Sequence, residues 1–219
     1  KAILGFIGPA IYHFMFKIVT FESNIITCQK KLFTKRKSDI VFPSELNSLW
    51  LENIKNPPLD KPRLLYVGRA KVEKGTFSLL KIFDKITIDC HLSIVGKIEN
   101  EHLNNNKVNY IGHGYDASEL IKIYDNHNIS ILPSFTEAHP KVIDESLART
   151  RPVIIFEEIK HIIQNRKGIF VSKRNVKSLL ETIEFIMKNY ISIQKSMKEN
   201  KLPTKKEFIS QMNKILSSN

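Results

Sequence analysis

The chain has 219 residues, of which 42% are hydrophobic and 26% are charged, and 34 Lys and Arg against 22 Asp and Glu give a net charge of +12. This apolar fraction is enough to form a buried core, which excludes a wholly disordered or collagen-like chain. The two cysteines, Cys28 and Cys90, lie far apart. The sequence therefore predicts neither a disulfide scaffold nor a cysteine-rich zinc site, and it suits the reducing cytoplasm. The positive charge favours an anionic partner, such as nucleic acid, an anionic membrane or a phosphorylated substrate.

An apolar segment at the start of the sequence precedes a basic run. Residues 2–21 contain Pro9, His13 and Lys17, and the segment barely reaches the roughly 20 apolar residues that a membrane span needs. We therefore expect a helix that packs against, or lies on, another surface. The basic run Lys30–Lys37 follows, and the two segments together suggest docking to the anionic inner face of a membrane. The alternative is an apolar segment whose packing partner is another domain.

From residue 61 onward, apolar runs alternate with segments of helical spacing. The runs that predict buried strands are residues 64–68, 91–96, 108–112, 129–134, 152–156 and 168–172. The helical segments carry start signals, which are Asp116 with Glu119 three residues later, Pro140 at a first helical position, and Asn175 as a cap. Alternating strands and helices imply βαβ units, so we predict an α/β, Rossmann-like parallel sheet with helices on both faces.

This pattern divides the chain into three predicted regions. Residues 1–60 do not share this alternation: after the apolar segment they contain short strand-and-turn segments, and they end in a linker at residues 56–60. Residues 61–190 form the Rossmann-like domain, and residues 191–219 form a helical tail whose last amphipathic helix starts near Pro203.

The candidate ligand site lies at the carboxyl ends of the predicted strands, which selects the loops after residues 68, 96, 112, 134 and 156. Arg69 and Lys74 flank the first of these loops, and Gly75 opens the next helix. Two cations beside a helix N-terminus can hold a diphosphate, because Arg binds phosphate oxygens in a bidentate manner and Lys adds a point charge. The alternative is two solvated loop cations.

The loop after the fourth of these strands and the helix that follows it carry two carboxylates. Glu137 lies in the segment Ser134–Pro140, and Glu145 lies one turn inside the helix. Near an anion site, two such carboxylates suit hydrogen bonding to sugar hydroxyls. The alternative is that both are ordinary surface acids, with Glu145 paired to Lys141 and Arg149 on an exposed polar stripe.

Two other patterns are weaker. Gly112 to Ala117 fits the G-x-G-x-x-A dinucleotide fingerprint, but it follows the third strand rather than the first, and the next strand ends without an acid for a ribose. A tight strand-to-helix turn is therefore the preferred interpretation. His113, His139 and His161 lack the spacing of a metal site, so we predict neither a metal nor a resident cofactor.

The two site segments, in this order, resemble a known family. GRAKVEKG (68–75), followed by PSFTEAHPKVIDESLARTRPVI (133–154), resembles the C-terminal, donor-binding half of retaining glycosyltransferases with the GT-B fold, the glycosyl transferases group 1 family. Glu137 and Glu145 match the family's pattern of a Glu, seven residues and a second Glu. The resemblance extends over most of the chain, from near residue 20 to near residue 190.

The resemblance implies a role for each candidate residue. Arg69 and Lys74 would hold the diphosphate of the donor. Glu137 would lie beside the reacting carbon of the transferred sugar as the catalytic residue, and Glu145 would bind the ribose hydroxyls. The remaining implied donor-binding positions are Ser134, Ala138, His139 and Pro140, at the sugar and phosphate, and Ile111 and Gly112, at the base.

The chain departs from the family pattern at several positions. Ala138 and His139 replace a usual Gly-Phe, Thr150 replaces a Gly before the Pro-Val strand, and FEEIKHII (156–163) replaces a segment with a glycine pair. These departures concern the identity of the sugar more than the fold.

The family reaction is the metal-independent transfer, with retention, of a hexose from a nucleotide-diphosphate sugar to an acceptor hydroxyl, in the synthesis of cell-surface glycans or glycolipids. Residues 1–60 are too short for the N-terminal acceptor domain of such an enzyme and resemble only its final helix and crossing strands, so the resemblance implies a remnant of that domain and a linker. The chain therefore resembles the donor-binding half alone, and we expect no catalysis by it in isolation.

Two other functions remain open. One is a non-catalytic module that binds nucleic acid or anionic lipid through its positive charge, and the other is a sugar-nucleotide epimerase on the same fold. Nucleic acid is the weaker option, because the tail lysines have no interleaved aromatic residues and the sequence has no RNA-binding signature. The expected partners are a nucleotide sugar and a glycan or lipid-linked acceptor, and the expected location is the cytoplasm, at the inner face of the membrane.

Overall fold

The computed structural model describes residues 2–19, 21, 25–28, 38–97 and 105–217. Its strands are β1 Ile25–Thr27, β2 Ser38–Ile40, β3 Arg63–Val67, β4 His91–Val95, β5 Val108–Gly112, β6 Ile129–Leu132, β7 Val153–Phe156 and β8 Ile169–Ser172. Its α-helices are α1 Ala2–Val19, α2 Ser48–Leu51, α3 Thr76–Phe83, α4 Ala117–Asp125, α5 Lys141–Ala148, α6 Val176–Lys188, α7 Tyr190–Met197 and α8 Lys205–Ser217. Short 3₁₀ turns lie at Val72–Lys74 and Glu157–Ile162.

Strands β3 to β8 form a parallel sheet in the order β5-β4-β3-β6-β7-β8. This sheet, with helices between its strands, confirms the predicted α/β, Rossmann-like architecture. The chain runs outward from β3 to one edge and then outward from β6 to the other. The loops leaving β3 and β6 therefore diverge, and such a switch point is where open α/β sheets form a ligand crevice. The short strands β1 and β2 pair with each other, also in parallel.

The predicted strand limits agree with the structure to within one residue, except at β6. That strand ends at Leu132 rather than at residue 134, because Pro133 has no N–H to donate to a neighbouring strand.

The helix caps follow from local side chains at two of the three predicted positions. Asp116 and Glu119 form a reciprocal capping box, with both hydrogen bonds at 2.9 Å, and the Asn175 side chain accepts from the N–H of Ser178. The prediction for Pro140 is wrong by one position. Its ψ of 113° is extended, so it precedes the helix as the N-cap rather than occupying the first helical turn.

The core has two apolar layers, one on each face of the sheet. Successive side chains of a strand point to opposite faces, so Leu64 and Tyr66 of β3 lie in the layer that contains α3, α6 and α7. Leu65 lies in the opposite layer with α2 and α4, where the rings of Trp50 and Tyr124 make an edge contact with centroids 5.6 Å apart. Burial on both faces explains why the strands are almost continuously apolar.

Packing crosses both of the predicted region boundaries. Trp50 and Leu46, from the first 60 residues, are buried in the second core layer. Tyr190 and Met197 of α7 are buried in the first layer. Helix α8 has no buried residues, although its first residue, Lys205, donates its N–H to the carbonyl of Leu46.

Two arginines that follow α5 are fully buried. Arg149 makes a two-pronged ion pair with Asp125, at 3.0 and 2.8 Å, and donates to the carbonyls of Trp50, Glu52 and Asn53. Arg151 donates to carbonyls at residues 55, 124, 125 and 127. The prediction that Arg149 lies on an exposed polar stripe is wrong. The helix ends at Ala148, so the side chain leaves the helical stripe and turns inward.

Thr150, between these arginines, has a φ of +53°. Left-handed backbone is unfavourable for a β-branched residue, which accounts for the glycine expected at this position from the family pattern. The side-chain amide of Gln194 donates to the Thr150 hydroxyl at 3.0 Å and to its carbonyl at 3.2 Å. Helix α7 therefore stabilises a conformation that glycine would adopt without help.

Candidate functional site

Two loops meet at the carboxyl edge of the sheet, one after β3 and one after β6. The N–H of Phe135 donates to the carbonyl of Glu73 at 3.0 Å, which joins the two backbones. Gly75 lies at this contact with a φ of +69°, and a Cβ there would lie 1.9 Å from the carbonyl oxygen of Pro133. A side chain at residue 75 would not fit, so glycine is what lets Lys74 approach the loop after β6.

The centre of this contact is the carboxylate of Glu137. Its Oε1 lies 2.6 Å from Nζ of Lys74 and accepts a hydrogen bond from the hydroxyl of Ser134 at 2.7 Å. Nε2 of His161, from the 3₁₀ turn after β7, lies 2.9 Å from the carbonyl oxygen of Glu137. The side chain of Lys74 is 26% exposed and that of Glu137 is 10% exposed. Lys74 is therefore a partly buried, ion-paired cation and not a solvated one.

The other predicted phosphate and base positions lie on the same edge but apart from this cluster. Arg69 is exposed, and its carbonyl accepts from the hydroxyl of Tyr66 at 2.8 Å. Among the described residues, no contact joins its side chain to Lys74. Ile111 and Gly112 end β5, which is two strands away from β3. Gly112 has a φ of +106°, as expected for the tight turn preferred over a dinucleotide fingerprint.

Glu145 lies on α5 and is separate from the Glu137 cluster. Its Oε2 accepts a hydrogen bond from the hydroxyl of Tyr124 at 3.1 Å. Burial raises the pKa of the Glu145 carboxyl, although the Tyr124 hydroxyl opposes that shift. The alternative in which Glu145 is paired along its helix is wrong, because Lys141 pairs with Glu45 at 3.4 Å and Arg149 is buried elsewhere. Glu145 is thus a carboxylate held by a hydroxyl, with no cation bonded to it in the described structure.

The residues between Glu137 and α5 differ in orientation. Ala138 is exposed, whereas the side chain of His139 turns inward, with its ring centroid 5.0 Å from that of Phe42. Nε2 of His139 lies 2.9 Å from Oδ2 of Asp144, which also pairs with Arg166. His139 therefore contributes its backbone, and not its imidazole, to the edge where Glu137 lies.

Sequence reasoning missed Arg174, whose guanidinium donates to the carbonyl of Pro133 at 2.9 Å. Arg174 follows β8. The rule that ligands bind at the carboxyl ends of strands includes the loop after β8, but the selected loops ended with the one after residue 156. It also missed the contact of His161 with Glu137. No local sequence pattern predicts that contact, because the two residues lie in loops after different strands.

The fold and the site together define a class of domain. A parallel α/β sheet carries, at its switch point, a carboxylate that contacts both a cation and a hydroxyl, and the switch point is where open sheets of this kind form a ligand crevice. Residues 51–202 match the family described as Glycosyl transferases group 1. The chain belongs to this family.

Two relatives illustrate how much of the chain is shared. It is 28% identical over 190 residues to an uncharacterized glycosyltransferase of Haemophilus influenzae, covering 79% of this chain and 52% of that protein. It is 25% identical over 166 residues to the N,N'-diacetylbacillosaminyl-diphospho-undecaprenol alpha-1,3-N-acetylgalactosaminyltransferase of Campylobacter jejuni, covering 71% of this chain and 43% of that protein. The chain thus spans about half the length of the curated relatives it matches.

The fold is also similar to solved structures. The Anabaena protein HepE, crystallised in complex with UDP-glucose, superposes with a TM-score of 0.71 at 12% identity, covering 90% of this chain and 64% of that one. At this identity the likeness establishes the fold alone.

Proposed function

We propose that this chain binds the nucleotide-diphosphate sugar donor of a retaining, metal-independent hexosyltransferase and is the donor-binding half of that enzyme. The observation that carries the proposal is the contact of Lys74, Ser134 and Glu137 at the switch point of the sheet. These residues lie inside the segment that matches the family. The acceptor side of the cleft would come from a part of the whole enzyme that corresponds to the unmatched length of the relatives.

The diphosphate would bind at the loop after β3. An ammonium group has three N–H donors, so Lys74 can keep one on Glu137 while the others meet phosphate oxygens. Arg69, exposed on the same edge, can add a bidentate contact. The backbone N–H groups at the start of α3 complement this positive charge, because a helix N-terminus favours anions.

The transferred sugar would lie against Glu137, and the ribose against Glu145. A carboxylate accepts hydrogen bonds from hydroxyls strongly when it is ionised. The ammonium group of Lys74 contacts Oε1 of Glu137 at 2.6 Å, and the other carboxylate oxygen would face the sugar. Ile111 and Gly112, at the end of β5, would hold the base.

In the reaction, the bond from the anomeric carbon to the diphosphate oxygen breaks, and a bond from the acceptor oxygen to the same carbon forms. Lys74, Arg69 and the start of α3 would stabilise the negative charge that develops on the leaving diphosphate. The acceptor would attack from the face that the nucleotide leaves, and its proton would pass to a leaving phosphate oxygen. Glu137 would stabilise the positive charge at the anomeric carbon.

The donor and acceptor classes are supported by what the similar proteins are named for. The Anabaena structure holds UDP-glucose, so UDP-hexoses are the first donors to test. The Campylobacter relative is named for a lipid diphosphate acceptor, so lipid-linked diphosphates are the first acceptor class to test.

Titration calorimetry with UDP tests the donor site. Lys74→Ala removes a charge-assisted hydrogen bond worth about 1.5–3 kcal/mol, so UDP should bind roughly tenfold to a hundredfold more weakly. Uridine, which lacks the diphosphate, should bind equally to both proteins. Lys81→Ala, an exposed lysine at the far end of α3, is the matched control and should change neither ligand. Equal weakening of uridine and UDP by Lys74→Ala would show that the lysine has a structural role only.

The same titration separates the alternative of a nucleic-acid or lipid-binding module. Binding through many phosphate contacts loses about three to five decades of affinity between 50 and 200 mM salt. A single diphosphate in a pocket should lose much less, so a steep salt dependence with no UDP binding would favour the alternative.

Helix α1 supports contact with a membrane surface. Ile11, Phe14 and Ile18 share one helical face and are 55%, 65% and 56% exposed, whereas His13 and Lys17 lie on the other side. No helix in the described ranges is long and apolar enough to cross a membrane. The basic run Lys30–Lys37 lies outside the described residues.

Flotation with phospholipid vesicles tests this contact. Binding should increase with the fraction of anionic lipid, because each cation near such a surface contributes about 1 kcal/mol. Ile18→Asp should release the chain from the vesicles. Ile209→Asp, at an exposed position on α8 (45% exposed), is the control and should not. Equal binding to neutral vesicles would instead indicate a non-specific apolar segment.

A further inference from the structure

Arg174 lies between two aromatic rings beside the donor-site loop. Its guanidinium carbon is 4.0 Å from the ring centroid of Phe135 and 4.3 Å from that of Phe156. Phe156 is fully buried at the end of β7, whereas Phe135 is 41% exposed in the loop after β6. The planar cation thus links a fixed core residue to an exposed loop residue, an arrangement that suits Arg and not Lys.

The orientation of this guanidinium is set by an ion pair. Its Nε donates to Oε1 of Glu158 at 2.8 Å, and this hydrogen bond lowers the pKa of the Glu158 carboxyl. Glu158 belongs to FEEIKHII, the segment in which this chain departs from the family pattern. The departure therefore supplies the partner that aims Arg174 at the loop.

The remaining donors of Arg174 reach the backbone of that loop. Nη1 donates to the carbonyl of Pro133 at 2.9 Å, and Nη2 lies 3.4 Å from the carbonyl oxygen of Ser134. The same Pro133 carbonyl is the group that Gly75 approaches so closely. Arg174 thus holds the point at which the loops after β3 and β6 touch.

The step from this backbone to the site is a single hydrogen bond. Ser134, whose main chain faces Arg174, donates its hydroxyl to Oε1 of Glu137 at 2.7 Å. A shift of the Pro133–Ser134 peptide would carry that hydroxyl, and with it the carboxylate, away from its place beside Lys74.

We infer that Arg174 is a positioning residue for the donor sugar, which it influences by fixing Pro133 and Ser134 and, through the Ser134 hydroxyl, the carboxylate of Glu137. This inference rests on the proposed function, in which Glu137 faces the sugar and Lys74 the diphosphate. The role of Arg174 should affect the sugar of the donor and not its nucleotide, because the contacts that link Arg174 to Glu137 do not include Arg69 or Glu145.

The test compares UDP-glucose with UDP in titration calorimetry. Arg174→Gln should weaken UDP-glucose by about tenfold, the cost of one misplaced hydrogen bond to the sugar, and change UDP by less than about twofold. Arg174→Lys keeps the charge and one donor and should recover part of the loss. Glu158→Gln removes the ion pair that orients Arg174 and should weaken UDP-glucose by a smaller factor.

Arg63→Gln is the matched control. Arg63 pairs with Asp60 at 2.8 Å. It is the first residue of β3 and so lies at the amino ends of the strands, away from the site. Its loss should leave both affinities unchanged. If Arg174→Gln weakens UDP and UDP-glucose equally, or weakens neither, the positioning role is wrong.

Hydrogen exchange of the amides of residues 134–138 gives a readout that needs no ligand. Arg174→Gln should speed exchange there, with amides of β3 and β6 unchanged. Unchanged exchange in the loop would overturn the inference whatever the binding data are. A wild-type chain that binds no nucleotide would overturn the proposed function instead, and the exchange data would still decide whether Arg174 fixes the loop.

Discussion

The chain has two clusters in which cations meet carboxylates, and they differ in almost every other respect. In the arginine cluster, Arg149 and Arg151 meet Asp125, and the three side chains are 1%, 0% and 5% exposed. In the cluster at the carboxyl edge of the sheet, Lys74 meets Glu137, and the side chains are 26% and 10% exposed. The first cluster joins α4, α5 and residues 50–55, whereas the second joins two loops at the edge of the sheet.

The two clusters differ in how many N–H donors of their cations remain available to a ligand. The donors of Arg149 and Arg151 are directed at backbone carbonyls and at Asp125, so little remains for a ligand. Lys74 is reachable from solvent, and among the described side chains its hydrogen-bond partner is Glu137. Buried charge with saturated donors fixes the fold, whereas partly exposed charge at a strand end can bind. Substitutions in the two clusters should therefore act on different measurements.

The largest effect is expected from Arg149→Ala. Removing one partner of a buried ion pair costs about 3–5 kcal/mol when the other charge is left uncompensated. Here Arg151, at 3.4 Å, compensates only part of the charge of Asp125. The substitution also frees the carbonyls of Trp50, Glu52 and Asn53. Urea unfolding at neutral pH should show this loss of free energy of unfolding. Arg63→Ala removes an exposed pair and should change stability by less than about 1 kcal/mol. A similarly small change for Arg149→Ala would mean that the cluster does not anchor residues 50–55.

A smaller effect on stability is expected from Lys74→Ala. The pair is partly exposed, and such pairs contribute about 0–1 kcal/mol. The free energy of unfolding should therefore be nearly that of the wild type, in contrast to the predicted loss of UDP affinity. A destabilisation comparable to that of Arg149→Ala would place Lys74 with the structural cluster and remove the basis of the comparison.

The sheet could be predicted because its information is local. Each strand is an apolar run bounded by glycine or polar residues, and Asp116 and Asn175 mark helix starts by side-chain chemistry that acts over three residues. The rule that ligands bind at carboxyl ends then selected Lys74, Ser134 and Glu137 without any knowledge of their contact.

The arginine cluster and Arg174 could not be predicted in the same way. The sequence places Arg149 on the polar stripe of a helix, but its burial depends on carbonyls almost 100 residues earlier in the chain. Arg174 is aimed by Glu158 and by two aromatic rings that only the tertiary structure brings together. A charged residue whose partners are main-chain carbonyls leaves no pattern in the sequence, because every residue has a carbonyl.

Glu145 lies between the two extremes because it is partly buried and its hydrogen-bond partner is a hydroxyl rather than a cation. Burial raises its pKa above the ordinary value of 4.5, so the folded chain binds this proton more tightly than the unfolded chain does. Stability should therefore fall as pH rises from 4.5 through the raised pKa. Glu145→Gln should flatten that part of the stability profile and make the free protein more stable at neutral pH.

Nucleotide binding should respond to Glu145 in the opposite sense. A protonated carboxyl is a poor acceptor for the ribose hydroxyls, so affinity for both uridine and UDP should rise over the pH range in which stability falls. Glu145→Gln should weaken both ligands about tenfold at neutral pH, the loss of one charge-assisted hydrogen bond. Glu184→Gln, an exposed acid on α6, should change neither profile. If Glu145→Gln lowered stability and binding together, the carboxylate would belong with Asp125 as part of the framework, and the ribose assignment would be wrong.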